Sequence, residues 1–226
     1  MRLFDTVAIV GTGLIGGSLA LGMKKKRLCR RVIGIALHKT SLVQALRRRA
    51  VDCASRSLCD IRGADCVILA TPPAAIQTLA PKIRKLVNPA AIIFDVASTK
   101  GRVVRDLDRL FNHYIGTHPL AGSEKRGVRY ARADLFDGCL CILTPTARTD
   151  AKTRALVRRL WKTLGCSLME LSPRAHDAVL AQVSHLPHIV SFSLINSISP
   201  QALAIAPQSL REMTRNAGSD ARLWTD

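Results

Sequence analysis

Acidic and aromatic side chains are both scarce in this sequence, and cysteines at metal-binding spacing are missing. Sixteen Asp and Glu stand against 34 Lys and Arg over 226 residues, a formal charge of +18. Such a surface can neutralise the phosphates of nucleic acid or of an anionic membrane. Yet the basic runs Lys24 to Arg27 and Arg47 to Arg49 have few aromatics between them, Phe, Trp and Tyr making up only 4% of the chain, and no nucleic-acid motif accompanies them. They read as solvated helix ends, so nucleic acid is not the expected partner. A positive field would equally draw in a small substrate carrying carboxylates.

The seven cysteines form no CxxC pair and keep no regular spacing, which excludes a disulfide framework and a zinc ribbon and points to a reduced, cytoplasmic compartment. Cys139 and Cys141 alternate along a strand-like run and are expected on one core face. Thr6 to Met23 is largely apolar and precedes a basic run, as a signal anchor would. Gly11, Gly13, Gly16, Gly17 and Gly22 make it a poor membrane helix, and Met1 to Asp5 carries no strongly basic leader, so neither a targeting segment nor a membrane partner is expected. An apolar content of 48% argues against disorder, and the length suits one domain plus part of a second.

What is present is an alternation of strand-length apolar runs with longer amphipathic stretches, the pattern of βαβ units. Strands are expected over 6–10, 31–35, 66–70, 92–96, 113–116, 140–143 and 167–171, and helices over 15–26, 42–49 and 150–164. Thr71-Pro72-Pro73 ends one strand and leads to the next helix, and Gly165 stops another helix. After Ser172-Pro173 the pattern changes to one long helix from Arg174 to about Ile198. The fold class is therefore α/β: a Rossmann-type doubly wound parallel sheet over residues 1–171, then an all-helical segment over 172–226 too short to bury its own core.

Gly11-Thr12-Gly13-Leu14-Ile15-Gly16 lies between a strand and a helix, the context that makes a GxGxxG match informative. Gly11 would form the tight turn, Gly13 would admit a pyrophosphate, and Gly16 would let helix and strand close up, with Leu14 and Ile15 opening the phosphate-binding helix terminus. Thr71, at the end of another strand, is expected at the same cofactor. An NAD enzyme would place an acid at the end of the second strand. Here Ala36 stands near that position, followed by His38, Lys39 and Ser41, which suit the 2′-phosphate of NADP; NAD is the alternative.

Two further polar segments follow strands: Asp95-Val96-Ala97-Ser98-Thr99-Lys100 and His118-Pro119-Leu120-Ala121-Gly122-Ser123-Glu124. With Gly13 to Ala20, with Ser184-His185-Leu186-Pro187-His188 and with Leu210 to Arg215, they make the chain resemble the prephenate/arogenate dehydrogenases of tyrosine biosynthesis over essentially its whole length. The resemblance implies a nicotinamide-dependent oxidative decarboxylation of a cyclohexadienol. His118 matches the family's catalytic histidine, and an imidazole suits a proton acceptor near neutral pH. Ser98 matches the serine that orients it. His188 matches the substrate or active-site hydrogen-bond network and His185 shares its helix face, while Arg215 matches an arginine that binds substrate carboxylate. Glu124 matches a position near the site that would gate access. The histidine pair lacks an acidic or thiolate partner at metal-binding spacing, so no metal is expected.

The substrate implied is prephenate or arogenate, with no residue here deciding between them. Family members continue past the position of Asp226 through helices that build a dimer, so the resemblance implies a shortened chain that is a homodimer when those helices are present. Two alternatives stay open: another NADP-dependent small-acid dehydrogenase or reductase on the same fold, and a basic dinucleotide-binding protein without catalysis.

Overall fold

The computed structural model describes residues 2–122 and 125–219. The chain forms β1 (Phe4–Val10), α1 (Leu14–Lys25), β2 (Cys29–Ile35), α2 (Lys39–Arg47), β3 (Cys53–Ser55), β4 (Cys66–Leu69), α3 (Pro73–Arg84), β5 (Ile92–Asp95), α4 (Gly101–Leu110), β6 (Tyr114–Pro119), β7 (Leu140–Thr144), α5 (Ala151–Thr163) and β8 (Ser167–Glu170). Among the described residues, helices alone follow: α6 (Pro173–Leu180), α7 (Leu186–Asn196), α8 (Pro200–Ala204) and α9 (Gln208–Met213).

The strands make one sheet in the order β3-β2-β1-β4-β5-β6-β7-β8, parallel from β3 to β6, with β7 antiparallel to β6 and β8 parallel to β7. Its interior strands are apolar on both faces because helices cover both. Along β1, Val7 and Ile9 face a core completed by Leu19 and Met23 of α1 and by Val157, Leu160 and Trp161 of α5. Ala8 and Val10 face the opposite core, built with Ile76 and Ile83 of α3 and Val103, Val104 and Leu107 of α4. Each fully buried Val, Leu or Ile contributes about 1.5–3 kcal/mol, so the two layers fix the register of every central strand. Cys139 and Cys141 belong to the first core, on one face as expected.

The order reverses between β1 and β4, and this switch point opens a crevice at the carboxyl ends of the parallel strands. Strand β3 was not anticipated, since Cys53–Ser55 is too short to show a period. Helix α5 ends as expected: Gly165 takes φ +93°, and the N–H groups of Gly165 and Cys166 return to the carbonyls of Lys162 and Trp161.

The long helix begins at Pro173, with the Ser172 hydroxyl accepting from the Ala175 N–H. It is not uniform, because a π turn over Ala181–His185 separates α6 from α7. Pro187 explains this departure: it has no N–H to donate and its ring crowds the carbonyl a turn earlier, which a widened turn accommodates. A 3-10 turn, Arg215–Gly218, then packs back on α7.

Replacing Gly165 with Ala should lower stability by about 1–3 kcal/mol, because a Cβ there would lie 2.3 Å from Asp137 Oδ1 on a left-handed backbone. Urea unfolding would show a lower midpoint with unchanged slope.

Candidate active site

Gly11 leaves β1 at φ +105° and donates its N–H to Ile35 O at 2.8 Å, which joins the loop to the end of β2. A Cβ at Gly11 would lie 2.4 Å from Ala70 O, and one at Gly16 would lie 2.0 Å from Gly11 O. Both positions are closed to any side chain. Gly13 is different: nothing lies within 4 Å of its Cβ position, and it caps α1 without a side-chain acceptor. The first N–H groups of α1, on Leu14 and Ile15, therefore face open space where an anion is stabilised. Beside them, the hydroxyls of Thr12 and Thr71 are buried with no hydrogen-bond partner among the described residues. Orphaned hydroxyls, an uncapped helix terminus and a bare glycine fit the pyrophosphate and sugar of a dinucleotide.

Ala36 follows β2, where an acid would select NAD, and its N–H donates to Ser55 O at 3.2 Å. His38 and Lys39 are exposed and Ser41 half-buried at the start of α2, which His38 caps without a side-chain hydrogen bond. Strand β3 adds the exposed Arg56 just past Ser55, a basic residue that sequence patterning did not single out.

A second set of residues gathers at the carboxyl ends of β5 and β6, on the same edge of the sheet. Asp95 and Lys100 are fully buried and form an ion pair. Lys100 Nζ also donates to Thr117 O at 2.8 Å, while Asp95 accepts from Tyr114 Oη at 2.6 Å and from the Ala97 N–H at 2.8 Å. Burial lowers the Lys100 pKa against the opposing pull of Asp95, and burial beside Asp95 keeps the Tyr114 phenol protonated as a donor. The next residue after Thr117 is His118.

His118 Nδ1 lies 2.9 Å from Nε2 of His176, a fully buried residue on α6. His176 Nδ1 in turn lies 2.8 Å from Asp177 Oδ1. Asp177 Oδ1 also accepts from Lys100 N at 2.8 Å, and Asp177 Oδ2 from Gly101 N at 2.7 Å, so Asp177 caps α4 from another helix. Burial opposes ionisation of Asp177, but the hydrogen bonds from His176, Gly101 and Lys100 hold its carboxyl below the usual range. His118 is pushed down to about 3, by burial first, then by the charge of Lys100 and by His176 and His185. Burial likewise lowers His176. At neutral pH both rings are uncharged, and an uncharged imidazole can accept a proton.

The family resemblance pairs His118 with Ser98. Ser98 is exposed and makes no hydrogen bond among the described residues; His176 holds the ring instead. The reason is local: Asp95 engages the Ala97 N–H and Lys100 turns inward, which leaves the intervening Ser98 outside. His185 sits in the π turn, close enough to act on the charge of His118. His188 follows on α7, its Nδ1 2.9 Å from Ser184 O. Arg215 is exposed on the 3-10 turn against α7 and makes no ion pair among the described residues; Ser191 Oγ anchors that region by donating to Met213 O at 3.2 Å. Glu124 lies outside the described residues. Asp95, Lys100, His176 and Asp177 were missed as site residues. The first two stand in a segment already noted for its chemistry; the adjacent His-Asp near a helix start was the available signal for the others.

The family model for the prephenate dehydrogenase nucleotide-binding domain matches residues 19–170, and that for the prephenate dehydrogenase dimerization domain matches residues 172–226. The chain belongs to the prephenate dehydrogenase family. It is 36% identical over 239 residues to the cyclohexadienyl dehydrogenase of Zymomonas mobilis, covering all of this chain and 80% of that one. It is 34% identical over 233 residues to the prephenate dehydrogenase of Bacillus subtilis, covering 98% of this chain but only 63% of that relative's length. The crystal structure of prephenate dehydrogenase from A. aeolicus in complex with hydroxyphenyl propionate and NAD+ superposes with a TM-score of 0.94 at 32% identity, covering 98% of this chain and 81% of that one.

Two outcomes follow from the site's electrostatics. Lys100→Met should destabilise the fold by about 3–5 kcal/mol, measured by denaturant unfolding, because it leaves the buried Asp95 without its cation. Below pH 6.5 the unfolded His118 takes up a proton that the folded ring refuses down to about 3. Stability should then fall with pH across that window, by up to about 1.4 kcal/mol per pH unit for this group. His118→Asn should flatten the slope between pH 6.5 and 4.5, a region above most carboxylate titration.

Proposed function

We propose that this chain is a prephenate or arogenate dehydrogenase that prefers NADP and decarboxylates its substrate as it oxidises it. The observation that carries the reading is a half-buried, uncharged His118 at the carboxyl edge of a dinucleotide-type sheet, in a chain of this family. When bound, the nicotinamide supplies a hydride acceptor. His118 takes the proton of the substrate hydroxyl as the hydride leaves the carbon that bears it. The resulting carbonyl draws electrons through the ring as the ring carboxylate departs as carbon dioxide, and the phenolic oxygen so formed takes back the proton from His118. Aromatisation makes the step irreversible.

Arg215 is proposed for a substrate carboxylate, because its planar guanidinium pairs with both oxygens at once. His188 and His185 supply hydrogen bonds to the substrate, and Glu124 is proposed to gate access. Gly11, Gly13, Leu14, Ile15, Gly16 and Thr71 would hold the dinucleotide, with His38, Lys39 and Ser41 on its 2′-phosphate. Residues 1–171 form the nucleotide domain in this reading and 172–226 the helical domain.

The helix Pro173–Asn196 has mean hydropathy 1.4 with 11% of its apolar window buried, and by length and composition alone it could cross a membrane. Val183, Leu186, Ile189 and Val190 are more than half exposed along it. A second copy of the chain is the proposed cover, supported by the dimerization-domain match over this segment. The cytoplasm is the proposed compartment, in keeping with seven unpaired thiols.

The test is the initial rate of NADPH formation with the purified chain and prephenate or arogenate, repeated with NAD. Turnover should fall about 10²–10⁴-fold in His118→Asn with cofactor affinity kept, and kcat/KM should favour NADP over NAD. Dinucleotide binding without turnover on either substrate would sink the assignment.

A further inference from the structure

The geometry points to His176 and Asp177 as positioning residues that hold His118 in the one tautomer whose Nε2 is bare and turned to the substrate. This rests on the reading of His118 as the proton acceptor, and neither residue is given a role by any other part of that reading. Asp177 is the fixed end of this arrangement. Its two oxygens meet the N–H groups of Lys100 and Gly101 at 2.8 and 2.7 Å and His176 Nδ1 at 2.8 Å. A carboxylate so surrounded has only lone pairs to offer, so the His176 proton is on Nδ1. An uncharged His176 then presents a bare Nε2, and the group 2.9 Å from it is His118 Nδ1. Nitrogen facing nitrogen at that distance needs one proton between them, and His118 must supply it. The remaining ring nitrogen of His118, Nε2, is left with a lone pair.

The arrangement would fail if either ring were charged. The titratable and charged groups acting on the two rings are Lys100, Asp95, Asp177 and His185, with Cys141 beside the His118 backbone. Burial and the Lys100 ammonium disfavour protonation of both imidazoles, while Asp177 favours a proton on His176 at Nδ1 only. Gly101 permits the cap, since a Cβ there would lie 2.9 Å from Asp177 Oδ2. The same carboxylate thus fixes α6 against α4 and sets the hydrogen-bond sense of the base. It is a positional role, because neither His176 nor Asp177 touches substrate in this scheme.

The experiment combines histidine ¹⁵N NMR on the full chain with kinetics of His176→Leu, His176→Gln and Asp177→Asn. In the unsubstituted protein, His118 Nδ1 should carry the proton and Nε2 should show the shift of a bare ring nitrogen near neutral pH. His176→Leu removes the acceptor, so His118 should become a mixture of tautomers, and kcat should drop about 10²-fold with substrate KM and cofactor affinity little changed. His176→Gln, whose amide oxygen can accept from Nδ1, should restore most of the rate and the tautomer. Asp177→Asn should shift the acidic limb of the kcat profile as well as lower kcat. A proton found on Nε2 of His118 in the unsubstituted protein, or an unchanged tautomer and kcat in His176→Leu, would overturn the proposal; the first holds even where a variant does not fold. The tautomer shift seen in a chain that turns over neither substrate supports the positioning assignment while removing the catalytic reading it was attached to.

Discussion

A buried ammonium against a buried carboxylate, Lys100 on Asp95, organises the edge of this molecule at the carboxyl ends of β5 and β6. Two charges taken out of water cost several kcal/mol each unless every lone pair and proton finds a partner. Here hydrogen bonds offset much of that cost: Lys100 also donates to Thr117 O, and Asp95 also accepts from Tyr114 and Ala97, which joins β5 to β6 immediately before His118. The pair also places the start of α4, whose N–H groups meet Asp177. One buried ion pair therefore connects the sheet to the helix that follows it, and its cation adds to burial in disfavouring a proton on the neighbouring imidazole.

The Gly-rich crevice and the candidate site around His118 obey the same topological constraint. Parallel strands deliver all their carboxyl ends to one side, so Gly11, Ala36, Thr71, Asp95 and His118 share an edge although they are scattered along the chain. The helical segment answers to a different constraint. It carries His185, His188 and Arg215 but buries little of its own apolar surface, which makes its stability a matter of what covers it.

Much of this was legible in the sequence. Period and turn chemistry located seven of the strands, the Gly-rich turn and the Pro173 start, because local steric rules operate over a few residues. The unexpected pieces have physical reasons: β3 is shorter than the period that would reveal it, and the π turn answers to Pro187 in a run that otherwise favours helix. Motif matching brought His118 to notice and linked it to Ser98, whereas the group against its Nδ1 in this structure is His176, from a separate element.

The sequence by itself pointed to most of the element types, the Gly-rich turn, the family and His118, since each depends on residue type and short spacing. Only the tertiary structure decided which group meets that imidazole. His118 and His176 lie 58 positions apart, Asp177 reaches back to cap a helix begun at Gly101, and no spacing rule predicts contacts between separate elements. Burial and hydrogen-bond direction, which set charge and tautomer, exist only once those elements have packed.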